Sequence, residues 1–411
     1  MRLISFQLLT KLPVMTNSEI SFGNTKMAFK AKNDTDLERS FWLFRLMKRP
    51  LLVKFLSRSV LFAMRIGLPV NALIKGTIFN QFCGGESIDE SGTVITKLSH
   101  SHIGSILDYS IEGKERDEDF QRTKEELLKI ITVAKTNKAI PYTSLKLSGI
   151  ARMSLLEKLE DGTKLNTAEQ EEFTAFYERL DEICTAALSA DVPIYFDAEE
   201  SWIQAAIDVL AERLMEKYNR KKAIVLTTLQ MYRWDRLDYL NSLIKRARED
   251  HFFIGIKLVR GAYMEKENLH ALRQGSVSPI HLQKEDTDRD FDEAIDICLK
   301  NIDLITLCAG THNENSTWHV INKMHELGIP AEHPHVYFSQ LYGMSDHITY
   351  NLAAAGYNVT KYLPYGPVKS VIPYLIRRAE ENTSISGQIG RELRMLVEEK
   401  KRRGTERLLT A

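Results

Sequence analysis

Eight short apolar runs recur along the chain, and a longer amphipathic segment follows each of them. The runs are rich in β-branched and aromatic residues and are too short for typical helices, which predicts β-strands. Strands that alternate with helices pair in parallel, and eight of them can close into a (β/α)8 barrel. The predicted strands are 105–111, 142–149, 192–199, 222–230, 252–261, 304–313, 335–343 and 358–366.

A doubly wound open sheet is the alternative architecture for the same alternation. Such a sheet places a glycine-rich, phosphate-binding turn after its first strand. The sequence contains no GxGxxG motif, so the α/β barrel is the favoured prediction.

The segments between the strands carry helix start and stop signals. Thr167 with Gln170 three residues later has the spacing of a capping box, and Thr287 with its acidic neighbours predicts another helix start. Gly328, followed by Pro330, predicts a helix end.

The composition is that of a soluble globular protein, with 44% hydrophobic and 27% charged residues. The formal net charge is zero, so the totals do not indicate a general affinity for nucleic acid. No run of about 18 uncharged apolar residues occurs, which argues against a transmembrane helix. The cysteines are scattered without a CxxC pair, so we expect buried free thiols in a reducing compartment at Cys83, Cys184, Cys298 and Cys308.

The chain divides into a predicted leader at 1–27, a helical arm at 28–92 and a barrel domain at 93–411. The leader contains Arg2 and Lys11 and no acidic residue before Glu19, which is compatible with a transit sequence or with a disordered leader.

The arm is strongly basic. From Arg39 to Gly85 it contains eight basic residues and no acidic one, among apolar runs such as FWLF and LLVKFL. One interpretation is a helical arm that packs on the main domain and keeps its cations in water. The other is a basic amphipathic surface for an anionic membrane, and the sequence leaves both open.

Polar residues lie toward the C-terminal end of every predicted strand. In a (β/α)8 barrel the active site lies at the C-terminal ends of the strands, so these side chains are expected to converge if the barrel forms. They are Asp108, Glu112, Lys146, Asp197, Gln230, Arg260, His312, Asn313, Gln340 and Tyr362.

Lys146 lies between apolar neighbours in LKLSG and is expected to point inward, where an unpaired ammonium group is costly. Asp197 after the next strand is its expected partner, and a purely structural ion pair would explain both residues. In the functional interpretation, which we favour, Lys146 faces a ligand anion or an electron-rich ring.

Two further strand ends have competing interpretations. His312 in GTHNENS is better suited to hydrogen bonding than to metal ligation, because no second ligand stands at a suitable spacing, and we expect no metal. Arg260 is either a surface cation or a ligand contact. Gly261 and Ala262 after it would let a planar or phosphorylated ligand approach the backbone, which suits a cofactor.

The segment after the last predicted strand begins a helix near Gly366 and Pro367. Outside the barrel, the arginines of this helix would be surface residues with Glu381 as a partner. Across the barrel mouth, two adjacent guanidinium groups could bind a carboxylate. Polar residues occupy the i, i+3, i+4 and i+7 positions that usually form the apolar stripe of a helix: Tyr374, Arg377, Arg378 and Glu381.

Seven motifs in one order, KLSG, DAEES, KLVRGAY, THN, QLYGM, YLPYGP and YLIRRAEEN, resemble the proline dehydrogenase family. The resemblance covers about Ala28 to Arg403 and is greatest to the monofunctional enzymes of mitochondria and some bacteria. It implies a distorted (β/α)8 TIM barrel whose last helix lies over the mouth. We expect no aldehyde dehydrogenase domain of the bifunctional bacterial enzymes in this chain.

The resemblance also implies a substrate site. Arg377, Arg378 and Lys146 would bind the carboxylate of L-proline, and Asp197 would hold or tune Lys146. Glu112 would pair with Arg377 as a gate. The pyrrolidine ring would be enclosed by Tyr263, Leu341, Tyr362 and Tyr374, where Tyr362 is typical of proline-specific rather than hydroxyproline-preferring enzymes.

FAD is the implied cofactor. Lys257 and Met264 depart from the bacterial bifunctional members, which have an arginine and a tryptophan there. The implied cofactor contacts are Gln230, Lys257, Arg260, Gly261, Ala262, Lys284, Thr287, His312, Asn313, Arg378 and Glu381.

The implied reaction is hydride transfer from the ring carbon beside the proline nitrogen to flavin N5, which gives Δ1-pyrroline-5-carboxylate, the first step of proline catabolism to glutamate. Electrons would pass to a membrane quinone, and the basic arm and the C-terminal KKRR sequence would assist a peripheral contact with the membrane. The expected location is the cytoplasmic side of a bacterial inner membrane or the matrix side of the mitochondrial one.

Three alternatives remain at the level of the sequence. A hydroxyproline dehydrogenase would share the fold. A barrel aldolase would use Lys146 as a Schiff-base nucleophile. A non-catalytic, membrane-associated binding protein would keep the barrel without the chemistry.

Overall fold

A computed structural model describes residues 20–66, 68, 70–110, 114–384 and 386–410. The structure describes only the backbone at Pro50, Leu73, 379–384, 386–388 and 408–410. Most of the expected leader lies outside the described residues, and the domain limits stay a prediction.

Eight parallel strands close into a barrel in sequence order, which confirms the predicted fold class. The closing pair is the longest, because the first and last strands pair from Ile103 opposite Val359 to Tyr109 opposite Tyr365. The strands are β1 (Ile103–Tyr109), β2 (Tyr142–Leu145), β3 (Ile194–Phe196), β4 (Val225–Gln230), β5 (Ile254–Val259), β6 (Ile305–Gly310), β7 (Val336–Leu341) and β8 (Val359–Tyr365).

Helices surround the sheet and precede it. Those before the barrel are α1 (Thr25–Ala28), α2 (Asp34–Met47), α3 (Pro50–Arg65), α4 (Asn71–Ile74), the π-helix Lys75–Phe79, α5 (Asn80–Phe82) and α6 (Ile88–Ser99). Those that follow β1 are α7 (Asp117–Thr136), the 3-10 helix Leu147–Gly149, α8 (Met153–Glu160), α9 (Thr167–Ala190), α10 (Ser201–Tyr218), α11 (Arg236–Asp250), α12 (Met264–Gln274), α13 (Lys284–Lys300), α14 (Glu314–Glu326), α15 (Asp346–Ala354), α16 (Val368–Ser384) and α17 (Ser386–Thr410).

Two predicted helix starts are wrong in detail. The capping box of α9 is formed by Asn166 and Glu169, one residue before the predicted pair, because the asparagine side chain accepts the backbone N–H of Glu169 and starts the helix one residue earlier. Helix α13 already begins at Lys284, so Thr287 lies within the helix rather than at its cap. The predicted stop after α14 is confirmed by the left-handed conformation of Gly328, which has a φ of 67°.

The barrel has a core on each side of its sheet. The larger core lies between strands and outer helices, where strands such as β4 and β5 are buried along nearly their whole length. Aromatic rings fill the barrel interior. Between ring centroids, Tyr142 lies 5.0 Å from Tyr195 in a tilted arrangement and 4.9 Å from Tyr337 in an edge-on one. This plug leaves space only toward the C-terminal ends of the strands.

Helix α16 passes over that end of the barrel, as the resemblance implies. The carbonyl of Pro367 accepts the first helical hydrogen bonds, from Ser370 and Val371, so the helix starts where the sequence predicts. Ile372 and Leu375 are buried against the N-terminal helices, which orients the opposite, polar face of α16 toward the strand ends.

The C-terminal KKRR sequence binds the protein itself. Lys400 lies 2.6 Å from Glu38, and Arg403 lies 2.9 Å from Asp34, both on α2. Arg402 pairs with the buried Glu399 of its own helix. Two of the four cations therefore fasten α17 to the arm and a third pairs within α17, so contact with a membrane is not needed to explain these three.

None of the described helices is both long and apolar enough to cross a bilayer. All four cysteines are buried free thiols, as predicted.

Candidate active site

A cavity of about 780 Å³ opens between the C-terminal ends of the strands and helix α16. Its volume is typical of a site for a cofactor or a small ligand. Sequence-predicted residues line most of it: Lys146, Asp197, Gln230, Lys257, Arg260, Gly261, Ala262, Tyr263, Lys284, His312, Asn313, Gln340, Leu341, Tyr362, Tyr374, Arg377 and Arg378.

The floor of the cavity is built around the buried carboxylate of Asp197, directly after β3. Lys257 of β5 donates a hydrogen bond to one carboxylate oxygen, and the hydroxyl of Tyr362 on β8 donates to the other. The ammonium group of Lys146 lies 3.6 Å from the same carboxylate. The pairing of Lys146 with Asp197 is thus present, but Asp197 is shared with Lys257.

Lys146 has a second acidic neighbour, which sequence reasoning noticed only as a strand-end residue. Its Nζ lies 3.4 Å from both carboxylate oxygens of Asp108 on β1, and the hydroxyl of Ser110 also donates to that carboxylate. Lys146 also lies 3.4 Å from the hydroxyl of Tyr362. The ammonium group is therefore held between two strand ends, with its charge balanced by carboxylates.

Burial tends to raise the pKa of Asp197, but the ammonium groups of Lys257 and Lys146, with the hydrogen bond from Tyr362, hold this pKa below its ordinary value. Burial and the nearby carboxylates of Asp108 and Asp197 raise the pKa of Tyr362 well above its ordinary value. At neutral pH the floor therefore contains a fixed carboxylate and a fixed phenol, and neither is ready to exchange a proton.

Helix α16 forms the roof of the cavity. The guanidinium of Arg377 lies 5.8 Å from the ring centroid of Tyr263, and that of Arg378 lies 5.1 Å from the ring of Tyr374. Both tyrosine rings are buried. Two adjacent cations and two aromatic rings thus face the floor across the cavity, which is the second of the two placements considered for this helix.

Residues at the C-terminal ends of β4 and β5 form another wall of the cavity. The side-chain oxygen of Gln230 accepts a hydrogen bond of 3.1 Å from the backbone N–H of Ala262, and its amide donates to the carbonyl of Glu199. Gly261 has a φ of 136°, and a Cβ there would stand 2.6 Å from the ring of Tyr232. The backbone conformation and the packing of Tyr232 therefore already require glycine here, and the predicted approach of a ligand stays a prediction.

Arg260 is not a surface cation. Its guanidinium donates to Asp288, Thr311 and Ser316 at 2.7, 2.8 and 2.9 Å, and it lies 4.5 Å from the ring centroid of Phe291. These contacts hold the guanidinium of Arg260 in one position at the edge of the cavity. Lys284 pairs with the same Asp288 and is mostly exposed at the cavity rim.

His312 and Asn313 follow β6 at the back of the cavity. Burial, reinforced by Lys361 and Arg378, lowers the pKa of His312 to about 3, so its imidazole is neutral at physiological pH. Its Nδ1 lies 2.9 Å from the hydroxyl of Ser345. The side-chain oxygen of Asn313 caps α14 by accepting backbone N–H groups, which leaves its amide nitrogen for other contacts.

Of the predicted site residues, one described residue does not line the cavity and two cannot be placed. Thr287 is buried in α13 and is absent from the cavity lining, because that helix starts earlier than predicted. Glu112 lies outside the described residues, as does the side chain of Glu381.

Sequence reasoning missed a cationic group at the far end of the cavity. Arg391 and Arg394 of α17 line the cavity, and Arg391 donates a hydrogen bond of 2.8 Å to Glu314. Glu314 also lies 3.0 Å from Nε2 of His347, another lining residue. No motif marked these residues, because only the return of α17 to the barrel mouth brings them there.

Residues 92–391 match a protein-family model described as "Proline dehydrogenase". The chain is 33% identical to the "Carbapenem antibiotics biosynthesis protein CarD" of Pectobacterium carotovorum subsp. carotovorum, over 78% of this chain and 83% of that protein. It is 32% identical to "Proline dehydrogenase 1, mitochondrial" of Dictyostelium discoideum, over 82% and 67% of the two chains. A "Hydroxyproline dehydrogenase" of Xenopus laevis is 30% identical, over 91% and 88%.

The fold is similar to a crystal structure of proline utilization A (PutA) from Bdellovibrio bacteriovorus inactivated by N-propargylglycine. The TM-score is 0.69 at 21% sequence identity, and the match covers 90% of this chain. The chain spans 40% of that longer protein. This likeness supports the barrel and its surrounding helices.

We predict that Asp197→Asn destabilises the protein by about 3–5 kcal/mol at pH 7, because it leaves buried ammonium groups without their shared carboxylate. The Asp197 pKa is lowered in the folded state, so its contribution is present above about pH 4 and is lost as the pH falls through the folded pKa. Urea unfolding of wild type and variant at several pH values measures this difference.

The matched control is Asp303→Asn, which removes an exposed carboxylate beside Arg248 and should cost about 1 kcal/mol or less. Equal destabilisation by both substitutions, or a difference that does not shrink below pH 4, would contradict the described floor.

Proposed function

The chain belongs to the proline dehydrogenase family, and we propose that it oxidises L-proline to Δ1-pyrroline-5-carboxylate with FAD as its cofactor. The observation that carries this proposal is the pair of arginines on α16, which faces a buried lysine across one cavity. The arrangement suits a small ligand that has a carboxylate at one end and an apolar ring at the other.

The carboxylate of the substrate would bind at the roof. Arg377 and Arg378 offer several N–H donors, and each guanidinium lies over a buried tyrosine ring that helps to position it. Lys146 adds a cation from the floor, but its charge is already balanced by Asp108 and Asp197. We infer that the arginines supply most of the attraction and that Lys146 fixes the orientation.

The ring of the substrate would lie among apolar and aromatic side chains. Tyr263, Tyr362 and Tyr374 are all buried, and Leu341 completes the lining. These side chains exclude water and restrict the ring to few orientations, which is the positioning effect that raises the rate of a transfer between bound groups.

The amine of proline must be neutral when its neighbouring carbon loses a hydride. The guanidinium groups of the roof disfavour a further positive charge beside them and so favour the neutral amine. Tyr362 is held protonated and Asp197 is held ionised, so these two residues orient the site rather than serve as its base.

The remaining lining residues fit a flavin dinucleotide. The backbone at Gly261 and Ala262 and the amide of Gln230 give hydrogen-bonding edges, and Arg260, Lys284, Arg391 and Arg394 give positive charge suited to a pyrophosphate. FAD, when bound, would accept a hydride from the substrate at N5. At the back of the cavity, neutral His312 would donate or accept a hydrogen bond, and the amide nitrogen of Asn313 would donate one. We propose a quinone of the membrane as the electron acceptor.

Hydroxyproline is the competing substrate, and the similarity to a hydroxyproline dehydrogenase favours testing it. Tyr362 supports proline, because its hydroxyl is already bound to Asp197 and its ring fills the floor. A substrate hydroxyl that finds no partner in such a site is penalised. The aldolase alternative has less support, because the amino group of Lys146 is already held by the carboxylates of Asp108 and Asp197, whereas a Schiff-base nucleophile must be available to attack a carbonyl.

We predict that the purified protein is yellow and that L-proline bleaches its flavin absorbance under anaerobic conditions, with hydroxyproline less efficient by kcat/KM. The visible spectrum during anaerobic titration measures both. A colourless protein that FAD cannot reconstitute would overturn the proposal, and trapping of a carbonyl substrate on Lys146 by borohydride would favour the aldolase.

We also predict that Arg378→Met lowers kcat/KM for proline by about 100-fold, because a lost charge-assisted hydrogen bond costs about 2–3 kcal/mol. Steady-state kinetics with a soluble dye acceptor, together with thermal unfolding, separate this loss from misfolding. The matched control is Arg248→Met, whose guanidinium is half exposed beside Asp303. Unchanged kinetics for Arg378→Met would contradict the binding role of α16.

A further inference from the structure

Helix α3 exposes large apolar side chains on the side that faces away from the protein. Leu51, Phe55, Phe62 and Ile66 are 85%, 66%, 64% and 56% exposed, and they recur at helical spacing along one side. We call these four residues the outer face of α3. Contiguous exposed apolar groups of this size usually mark an interaction surface.

The opposite side of α3 already has its packing partners. Val53 is buried, and Val60 and Met64 pack against the same apolar cluster that contains Ile372 and Leu375 of α16. The outer face is therefore not needed to hold the helix on the protein. The inner side of α3 packs on helix α16, which forms the roof of the proposed substrate site.

The charges around the outer face have one sign. The segment from Arg39 to Gly85 contains eight basic residues and no acidic one, although the whole chain has no net charge. Lys54, Arg58 and Arg65 are exposed on α3 itself. Such a combination of exposed aromatic and aliphatic side chains with cations complements an anionic lipid surface.

We propose that the outer face of α3 docks on an anionic bilayer, with Phe55 and Phe62 at the boundary between headgroups and acyl chains and with Lys54, Arg58 and Arg65 on lipid phosphates. A symmetric contact with a second copy is disfavoured, because it would bring these cations against their own equivalents.

This docking brings the roof of the cavity close to the membrane, since α3 packs directly on α16. The docking deepens the proposed function, because it would hold the protein beside the membrane quinone that accepts its electrons. Only this role of the docking, and not the docking itself, rests on the proposed function. Binding to lipid can be measured without any turnover.

The test is cosedimentation with vesicles of phosphatidylcholine alone and of phosphatidylcholine with one quarter phosphatidylglycerol. We expect binding to the anionic vesicles, weaker binding at high salt, and at least about a tenfold loss for the double variant Phe55→Glu with Phe62→Glu. The double variant Lys54→Gln with Arg58→Gln should bind both kinds of vesicle about equally weakly.

The matched control is Leu272→Glu with Leu282→Glu, which places the same charges at residues that are 78% and 94% exposed elsewhere on the surface. Equal losses for control and test variants, or no binding of wild type to anionic vesicles, would overturn the proposal. Self-association that the Phe55 and Phe62 substitutions abolish would assign the outer face to a second copy instead.

Proline-dependent reduction of a soluble dye separates this proposal from the proposed function. We expect the outer-face variants to reduce the dye as fast as wild type, because α3 contributes no residue to the cavity lining. Dye reduction without vesicle binding would overturn the docking alone, and vesicle binding without dye reduction would overturn the function alone.

Discussion

The buried carboxylate of Asp197 joins parts of the barrel that are far apart in sequence. It follows β3 and contacts Lys146 after β2, Lys257 on β5 and Tyr362 on β8. Together with Asp108, the two lysines leave the floor with two positive and two negative formal charges. A substrate carboxylate is thus not attracted by the floor as a whole, and in our proposal the arginines of the roof bind it.

The roof in turn depends on the N-terminal arm. Helix α16 carries polar residues toward the cavity, and its apolar side packs on α3 and its neighbours. Loss of that packing would leave the arginines without a fixed position, although they do not touch the arm. One side of α3 thus packs on the helix that forms the roof, and we propose that its outer face contacts the membrane.

Much of this could be predicted from the sequence, because the eight strands have short, apolar, β-branched runs and the polar stripe of α16 breaks the usual helical pattern. Local signals were less exact: Thr167 and Asn166 are both good caps, and the structure uses Asn166. Contacts between segments that are distant in sequence could be predicted least well. The sharing of Asp197 by Lys146 and Lys257, and the arrival of Arg391 at the cavity, depend on three-dimensional packing that no local pattern encodes.

The most direct test is a crystal structure with FAD and a saturated five-membered cyclic carboxylic acid that lacks the ring nitrogen, so that it binds without reacting. The account predicts its carboxylate within about 3 Å of the Arg377 and Arg378 guanidinium groups, with the ring between Tyr362 and Tyr374 and against the flavin. A carboxylate bound elsewhere in the cavity, or a flavin between the ligand and these arginines, would contradict it.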